Sequence, residues 1–404
     1  MKQSESVKRT GGYSPSGDRS RWRPRQAILL VALGLLLSYL LFRMSGGAEV
    51  ADDAPKLIGL AEKPFALWGD YRSAGFSDAW GSLPPLLPLL FGLFVRPAVA
   101  WLGPFWGIRI ASLAWSVALL VLLRWVLGRE VAVPERRCEN LIWIFVLLPS
   151  VIGAIALIPQ EESYVALFAL ALYAAARAGS WRLVPALLVL AALAGKYFLL
   201  VLIIPLAFYS PRPVRNLVLW GGVVLSILAA YVAYHRALFG LLPIVGHEVI
   251  RGSSVGLWSL LWNLGIHLPH GQVKILSLFI IPAGAASVSI AARRRGMPLA
   301  FSFAATLVVT LILLPISYPA YVLWAIPFVL LSAGMMESGA SRVTILLLLF
   351  VWGVSEWSAN FLRGVSLALS TERSSGKSAV ALAAERFLGP GFPFDTLHVL
   401  CIAL

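Results

Sequence analysis

Long apolar runs separated by short basic gaps repeat along most of this chain. Examples are Ala27 to Met44, Leu141 to Ile158 and Thr306 to Leu314. The longest runs approach the roughly 20 residues that an α-helix needs to cross about 30 Å of hydrocarbon. They are apolar on every face, whereas the strands of a membrane barrel alternate in polarity over about 10 residues. The pattern predicts an all-α, polytopic membrane protein.

The composition agrees with a lipid environment. Of 404 residues, 59% are hydrophobic and only 13% are charged, against roughly 25% charged residues in an ordinary soluble domain. The net charge of +14 is dispersed among the gaps instead of being gathered on one soluble face. A membrane topology therefore explains the charge better than nucleic-acid binding, and we expect no nucleic-acid partner.

The basic gaps also predict the orientation of the chain, because Lys and Arg are retained on the cytoplasmic side of a membrane. Alternate gaps are basic if the chain forms a bundle of about eleven transmembrane helices with its N-terminus in the cytoplasm. The gaps assigned to the cytoplasm contain Arg19–Arg25, Arg124–Arg137, Arg177, Arg182, Arg212, Arg215, Arg293–Arg295 and Arg342. The intervening gaps then form the outer face.

Three regions follow from this topology. Residues 1–26 form a disordered, basic cytoplasmic tail, residues 27–356 the transmembrane domain, and residues 357–404 a C-terminal segment on the outer face. The first apolar run has no small-residue cleavage site, so we interpret it as a retained helix. The first outer loop, 45–103, is expected to contain interfacial helices such as Leu83 to Leu102.

Carboxylates gather in this first outer loop, which holds six of the 19 acidic residues. Asp52 and Asp53 follow the first span within a few residues, so they are expected at the outer membrane surface, where a base can meet a lipid-borne substrate. The alternative is that they are solvated loop charges. A second acidic pair, Glu161 and Glu162, lies in a short outer turn, where it either serves a site or complements the dipole of the next helix.

A third outer loop, from about His235 to Gly271, adds a cation, Arg251, close to His247. A guanidinium suits a phosphate group, although an ion pair with a carboxylate is the alternative. The histidine spacing does not favour a zinc site. Phosphate-binding loops, serine-hydrolase elbows and dinucleotide fingerprints are not found in a suitable context, so an activated substrate or an ion gradient must supply the energy.

Short segments in a shared order resemble the GT-C superfamily of polytopic glycosyltransferases, which use polyprenyl-phosphate sugars; the likeness is to the protein O-mannosyltransferase and aminoarabinose-transferase branch. The segments span most of the chain: Asp52–Leu57, Leu83–Leu87 leading into a helix with Arg109, Gly195–Tyr197, His247–Arg251 with Ser254 and Trp258, and Ser317–Trp324. The sequence departs from the family pattern at Asp53, Leu57 and Tyr318, which leaves the sugar unspecified.

The resemblance implies transfer of mannose or a related sugar from the polyprenyl-phosphate carrier to a lipid, glycan or protein acceptor, at the outer face of a bacterial plasma membrane. It implies that Asp52, with Asp53 beside it, is the catalytic base. A single displacement at the sugar carbon then predicts inversion. Arg251 and Lys196 are the candidate cations for the donor phosphate. The groups expected to orient the acceptor, or a divalent cation such as Mg²⁺ or Mn²⁺, are Glu161, Glu162 and His247.

Two other classes remain open. A flippase or transporter for a lipid-linked sugar also needs basic residues near a membrane cavity, but carriers usually hold ionisable groups near the bilayer midplane. An oligosaccharide polymerase or ligase is expected to have a large outer loop rich in arginine, whereas the first loop here is acidic.

Overall fold

The computed structural model describes residues 24–44, 54–76, 83–130, 133–156, 159, 161–243, 256–315 and 319–353. Every regular element within these ranges is a helix, as predicted. The helices are α1 Arg25–Met44, α2 Ala54–Glu62, α3 Leu87–Trp125, α4 Glu135–Leu147, α5 Pro149–Ala156, α6 Glu162–Arg177, α7 Val184–Leu190, α8 Ile203–Tyr209, α9 Pro213–Phe239, α10 Leu257–Asn263, α11 His270–Arg294, α12 Leu299–Leu313, α13 Ile326–Met335 and α14 Gly339–Gly353.

Four of the described helices are long and apolar enough to cross a membrane, and a bent pair makes a fifth. The four are in α1, α3, α9 and α11, and the pair is α4 with α5. Large apolar side chains such as Val218 and Leu225 of α9 and Phe279 of α11 are more than half exposed. Hydrocarbon accounts for such surfaces, and the helices fit the predicted helical membrane protein.

Helix α3 is two helices joined at a sharp break. Gly103 has φ of 77° and ψ of 169°, a conformation that side chains disfavour and glycine tolerates. After the break, the chain folds back so closely that a Cβ at Gly107 would lie 2.5 Å from the Cα of Val99. The segment predicted to lie at the membrane interface, Leu83 to Leu102, therefore forms a helix that begins at Leu87 and ends at this break.

A second break divides the apolar run that begins near Leu141. Helices α4 and α5 meet at Leu148 with a bend of 46°. Leu148 is extended, with φ of −65° and ψ of 126°, because the proline ring of Pro149 disfavours a helical conformation in the residue before it. One apolar run thus forms a broken span.

The segment between α6 and α9 forms a helical hairpin with Lys196 at its apex. One limb is α7 followed by a wide π turn, Ala191–Gly195; the other is the tighter 3₁₀ helix Tyr197–Leu202 followed by α8. Both limbs pack against α9. Lys196 has extended backbone angles, φ −131° and ψ 138°, which separate the limbs. We call the end of the bundle that carries Lys196 the site end.

The hairpin returns to the other end of the bundle. The Tyr209 hydroxyl at the end of α8 donates to the Met297 carbonyl at 2.8 Å, and Arg293 donates to the Phe208 carbonyl. These bonds tie the base of the hairpin to the connection between α11 and α12. The main core lies around α6, where Tyr173 packs against Phe303 and Phe328.

Candidate functional site

Three separate segments meet at the site end of the bundle. They are the start of α6 with Glu161 and Glu162, the hairpin apex with Lys196, and the 3₁₀ turn Pro319–Trp324. More than 120 residues separate Lys196 from this turn along the chain. Folding alone brings their polar side chains together.

The centre of the site is an ion pair. The Lys196 ammonium contacts Glu161 Oε1 and lies 3.6 Å from Glu162 Oε1. The three side chains are only 13%, 7% and 1% exposed, in the order lysine, Glu161, Glu162. Water screens charges this deeply buried only weakly. Loss of the ammonium would therefore leave the carboxylates as unpaired buried charges, and the reverse also holds.

Two aromatic residues of the 3₁₀ turn complete the cluster. The Trp324 indole N–H donates to Glu162 Oε2. The Tyr321 ring stacks on Trp324 with centroids 4.5 Å apart, and the Lys196 ammonium lies 5.2 Å from the centre of the tyrosine ring. The aromatic pair therefore contacts both the Glu162 carboxylate and the Lys196 ammonium.

The local structure explains why the carboxylates lie here. Glu161 occupies the N-cap position of α6 and Glu162 its first turn. Negative charge is favourable at this end of a helix, where backbone N–H groups have no intrahelical partner. The helix dipole and Lys196 thus stabilise the same two carboxylates.

A layer of hydroxyl and guanidinium groups contacts the end of α5 and the start of α6. Ser116 of α3 and Ser163 of α6 share a hydrogen bond of 2.6 Å. Arg109, 1% exposed, donates from Nε to the Ala156 carbonyl at 3.0 Å. Ala156 is the last residue of α5, so the arginine satisfies a helix-end carbonyl that lacks an intrahelical partner.

The proline-rich segment within the first outer loop docks on the hairpin apex. The Leu86 N–H donates to the Leu193 carbonyl at 2.7 Å, and the Tyr197 hydroxyl donates to the Leu83 carbonyl at 3.2 Å. An open cavity of about 390 Å³ lies beside this contact. The side chains that line it are all apolar: Leu86, Pro185, Ala186, Val189, Leu190 and Val223.

The structure brings Glu161, Glu162 and Lys196 together, whereas Asp52, Asp53, His247 and Arg251 lie outside the described residues. Lys196, a candidate for the donor phosphate, is already paired with Glu161. No group of three or more metal-ligating side chains occurs within the described ranges. The three predicted residues that are described thus form one cluster, and their chemical roles remain predictions.

Sequence reasoning did not identify the contact between Trp324 and Glu162 or the role of Tyr321 beside Lys196. Both aromatic residues stood in a segment that resembles a family turn, but no periodicity in the sequence indicates which distant carboxylate a tryptophan reaches. The Ser116 and Ser163 pair was also missed, because isolated serines in apolar helices give no signal of their partners.

Comparison with known proteins adds no relative: no protein-family model matches the chain, and no curated protein is significantly similar to it.

Proposed function

We propose that this protein is a membrane glycosyltransferase that moves a sugar from a polyprenyl-phosphate carrier to an acceptor at the outer face of the membrane, with inversion. The observation that supports it best is the convergence of Lys196 and Pro319–Trp324 at the Glu161 and Glu162 carboxylates, with Leu83–Leu87 bonded to the hairpin that carries Lys196. Each of the three segments resembles a segment of one superfamily, and they are far apart in the chain. Matches that arose by chance would not be expected to meet at one end of the bundle.

The chemistry needs few groups. A sugar phosphate has a good leaving group, so a carboxylate that accepts the proton of the acceptor hydroxyl and a cation that holds the phosphate suffice. Asp52 or Asp53 is the proposed base and Arg251 the proposed cation. Glu161 and Glu162, held by Lys196 and Trp324, orient the acceptor or a divalent cation. The apolar cavity beside Leu86 suits the hydrocarbon chain of the carrier.

The proposed topology has eleven crossings. The candidate spans in α1, α3, α9 and α11, with the bent pair, give five. The two hairpin limbs, α12, α13 and α14 give five shorter apolar crossings, and α6 gives the eleventh. With the basic tail in the cytoplasm, the site end lies on the outer face of a bacterial plasma membrane.

The test is transfer by the purified protein in proteoliposomes supplied with polyprenyl-phosphate sugars. Asp52→Asn and Asp53→Asn remove each proposed base at nearly constant volume. Loss of a general base lowers the rate by about 10²–10⁴-fold, so one of these variants is expected to lose transfer. Glu62→Gln is the control. It removes an exposed carboxylate at the end of α2 and is expected to keep transfer activity. Full activity in both aspartate variants would refute the assigned base.

A lipid-linked sugar flippase is the second candidate, and one observation favours it. Lys196 lies where a π turn meets a 3₁₀ helix, between two short apolar helices, and broken helices around ionisable groups are common in transporter binding sites. The two functions differ in whether the bond between sugar and phosphate is broken.

A further inference from the structure

The C-terminal end of α9 presents three hydrogen-bond donors on one face. Tyr231, Tyr234 and His235 follow the i, i+3, i+4 spacing of neighbouring helical side chains. The Tyr231 hydroxyl donates to the Leu67 carbonyl at 2.8 Å, and His235 Nε2 lies 2.6 Å from the same oxygen. Both bonds reach the 3₁₀ turn Ala66–Trp68 of the first outer loop.

The third donor reaches the carbonyl of the next residue in the turn. The Tyr234 hydroxyl donates to the Trp68 carbonyl at 3.2 Å. A carbonyl oxygen accepts, so His235 donates from Nε2, and its Nδ1 has no hydrogen-bond partner within the described part of the chain. His235 is fully buried and Tyr231 is 8% exposed. The two bonds to the Leu67 carbonyl are therefore shielded from competition with water, whereas the Tyr234 bond is exposed.

Apolar packing accompanies the hydrogen bonds. Leu60, Leu67, Tyr71 and Leu241 form a buried cluster in which the outer loop meets the segment after α9, and Phe239 packs against it. The loop thus docks on α9 by a small core of its own as well as by polar contacts.

The outer loop is fastened on both sides of this contact. Before it, α2 packs on α3, with Ala61 so close to Gly92 that a Cβ there would lie 3.4 Å from the alanine Cα. After it, Leu83 and Leu86 bond to the hairpin apex. Asp53 directly precedes α2 in the chain. The described parts of the loop, 54–76 and 83–103, are thus held at three places.

We propose that Tyr231 and His235 are positioning residues that fix the first outer loop across the site end. Through the loop they hold α2, which Asp53 directly precedes in the chain, so this inference rests on the proposed function. Neither residue belongs to a segment that resembled the superfamily. Their action on the reaction is indirect, because they set where residues 54–76 of the loop lie.

Hydrogen-deuterium exchange in detergent or nanodiscs measures the docking without any activity. Tyr231→Phe and His235→Leu each remove one donor to the Leu67 carbonyl, and each is expected to speed exchange of the amides in 66–76 by about fivefold, the effect of one average hydrogen bond. His235→Gln keeps an N–H donor at the place of Nε2 and is expected to restore protection. Tyr209→Phe removes a tyrosine-to-carbonyl bond of equal length at the opposite end of the bundle and should leave 66–76 unchanged.

Transfer kinetics then separate positioning from mere stability. Loosening of 66–76 together with a fall in kcat of about tenfold at nearly constant donor KM, reversed in His235→Gln, supports the proposal. Unchanged exchange in Tyr231→Phe and His235→Leu, or faster exchange with unchanged kcat, overturns it. If the wild-type protein transfers no sugar, the proposed function fails, and the exchange data alone decide whether α9 holds the loop.

Discussion

Removal of the Lys196 ammonium tests whether the buried cluster holds together as an ionic unit. Lys196→Met keeps most of the side-chain volume and deletes the charge. It leaves two carboxylates, 7% and 1% exposed, without their ammonium partner. Removing one partner of a buried ion pair costs about 3–5 kcal/mol, and the near-complete burial of Glu162 supports a value within that range.

A double-mutant cycle isolates the interaction from other effects of the substitution. Glu161→Gln removes the carboxylate that contacts Lys196, so the double variant Lys196→Met with Glu161→Gln no longer contains that unpaired charge. We expect its loss of stability to be smaller than the sum of the two single losses by about 1–3 kcal/mol. A sum without such coupling would show that the pair contributes no specific interaction.

Unfolding by SDS in mixed micelles, followed by tryptophan fluorescence, measures these free energies, since the chain contains 15 tryptophans. Lys274→Met is the matched control, because Lys274 has no ion pair within the described ranges. Its expected cost is below about 1 kcal/mol. If Lys196→Met is as stable as this control, the description of the cluster as a buried ionic unit is wrong.

Two further variants test contacts near the site by the same unfolding measurement. Trp324→Phe keeps the aromatic ring and loses the donor to a carboxylate, whereas Trp115→Phe loses an indole N–H without a described partner. The first is expected to cost about 1.5–3 kcal/mol more than the second, and equal costs would contradict the hydrogen bond. Gly107→Ala places a methyl group against the Val99 backbone and is expected to cost about 2 kcal/mol or more. Gly128→Ala meets no atom within 4 Å, so equal stability of these two alanine variants would contradict the tight reversal after Gly103.

The sequence was sufficient for the class of fold, because apolar runs and their lengths report directly on a lipid environment. It was less informative about breaks within the runs. The bend at Leu148 follows from Pro149, and the reversal at Gly103 depends on a glycine followed by Pro104. Prolines and glycines are frequent in membrane helices, so their presence alone does not indicate which of them breaks a helix.

The candidate site was predictable residue by residue but not as an assembly. Unpaired charges are costly in an apolar segment, and this made Glu161, Glu162 and Lys196 noticeable in the sequence. Their contact with one another depends on the hairpin apex, where the π turn and the 3₁₀ helix change the direction of the chain. His235 illustrates the opposite case: the sequence placed it at the start of a loop, whereas α9 continues to Phe239 and buries it.

The most direct test of the proposed reaction follows the sugar and its lipid carrier separately. Proteoliposomes contain the purified protein and a polyprenyl-phosphate sugar labelled in the sugar, and the label is measured both on the carrier and on added lipid, glycan and peptide acceptors. A glycosyltransferase releases the label from the carrier to an acceptor with inversion of the sugar carbon, and Asp52→Asn or Asp53→Asn stops the release. Label that stays on the carrier while the lipid moves between leaflets would contradict the proposal and identify a flippase.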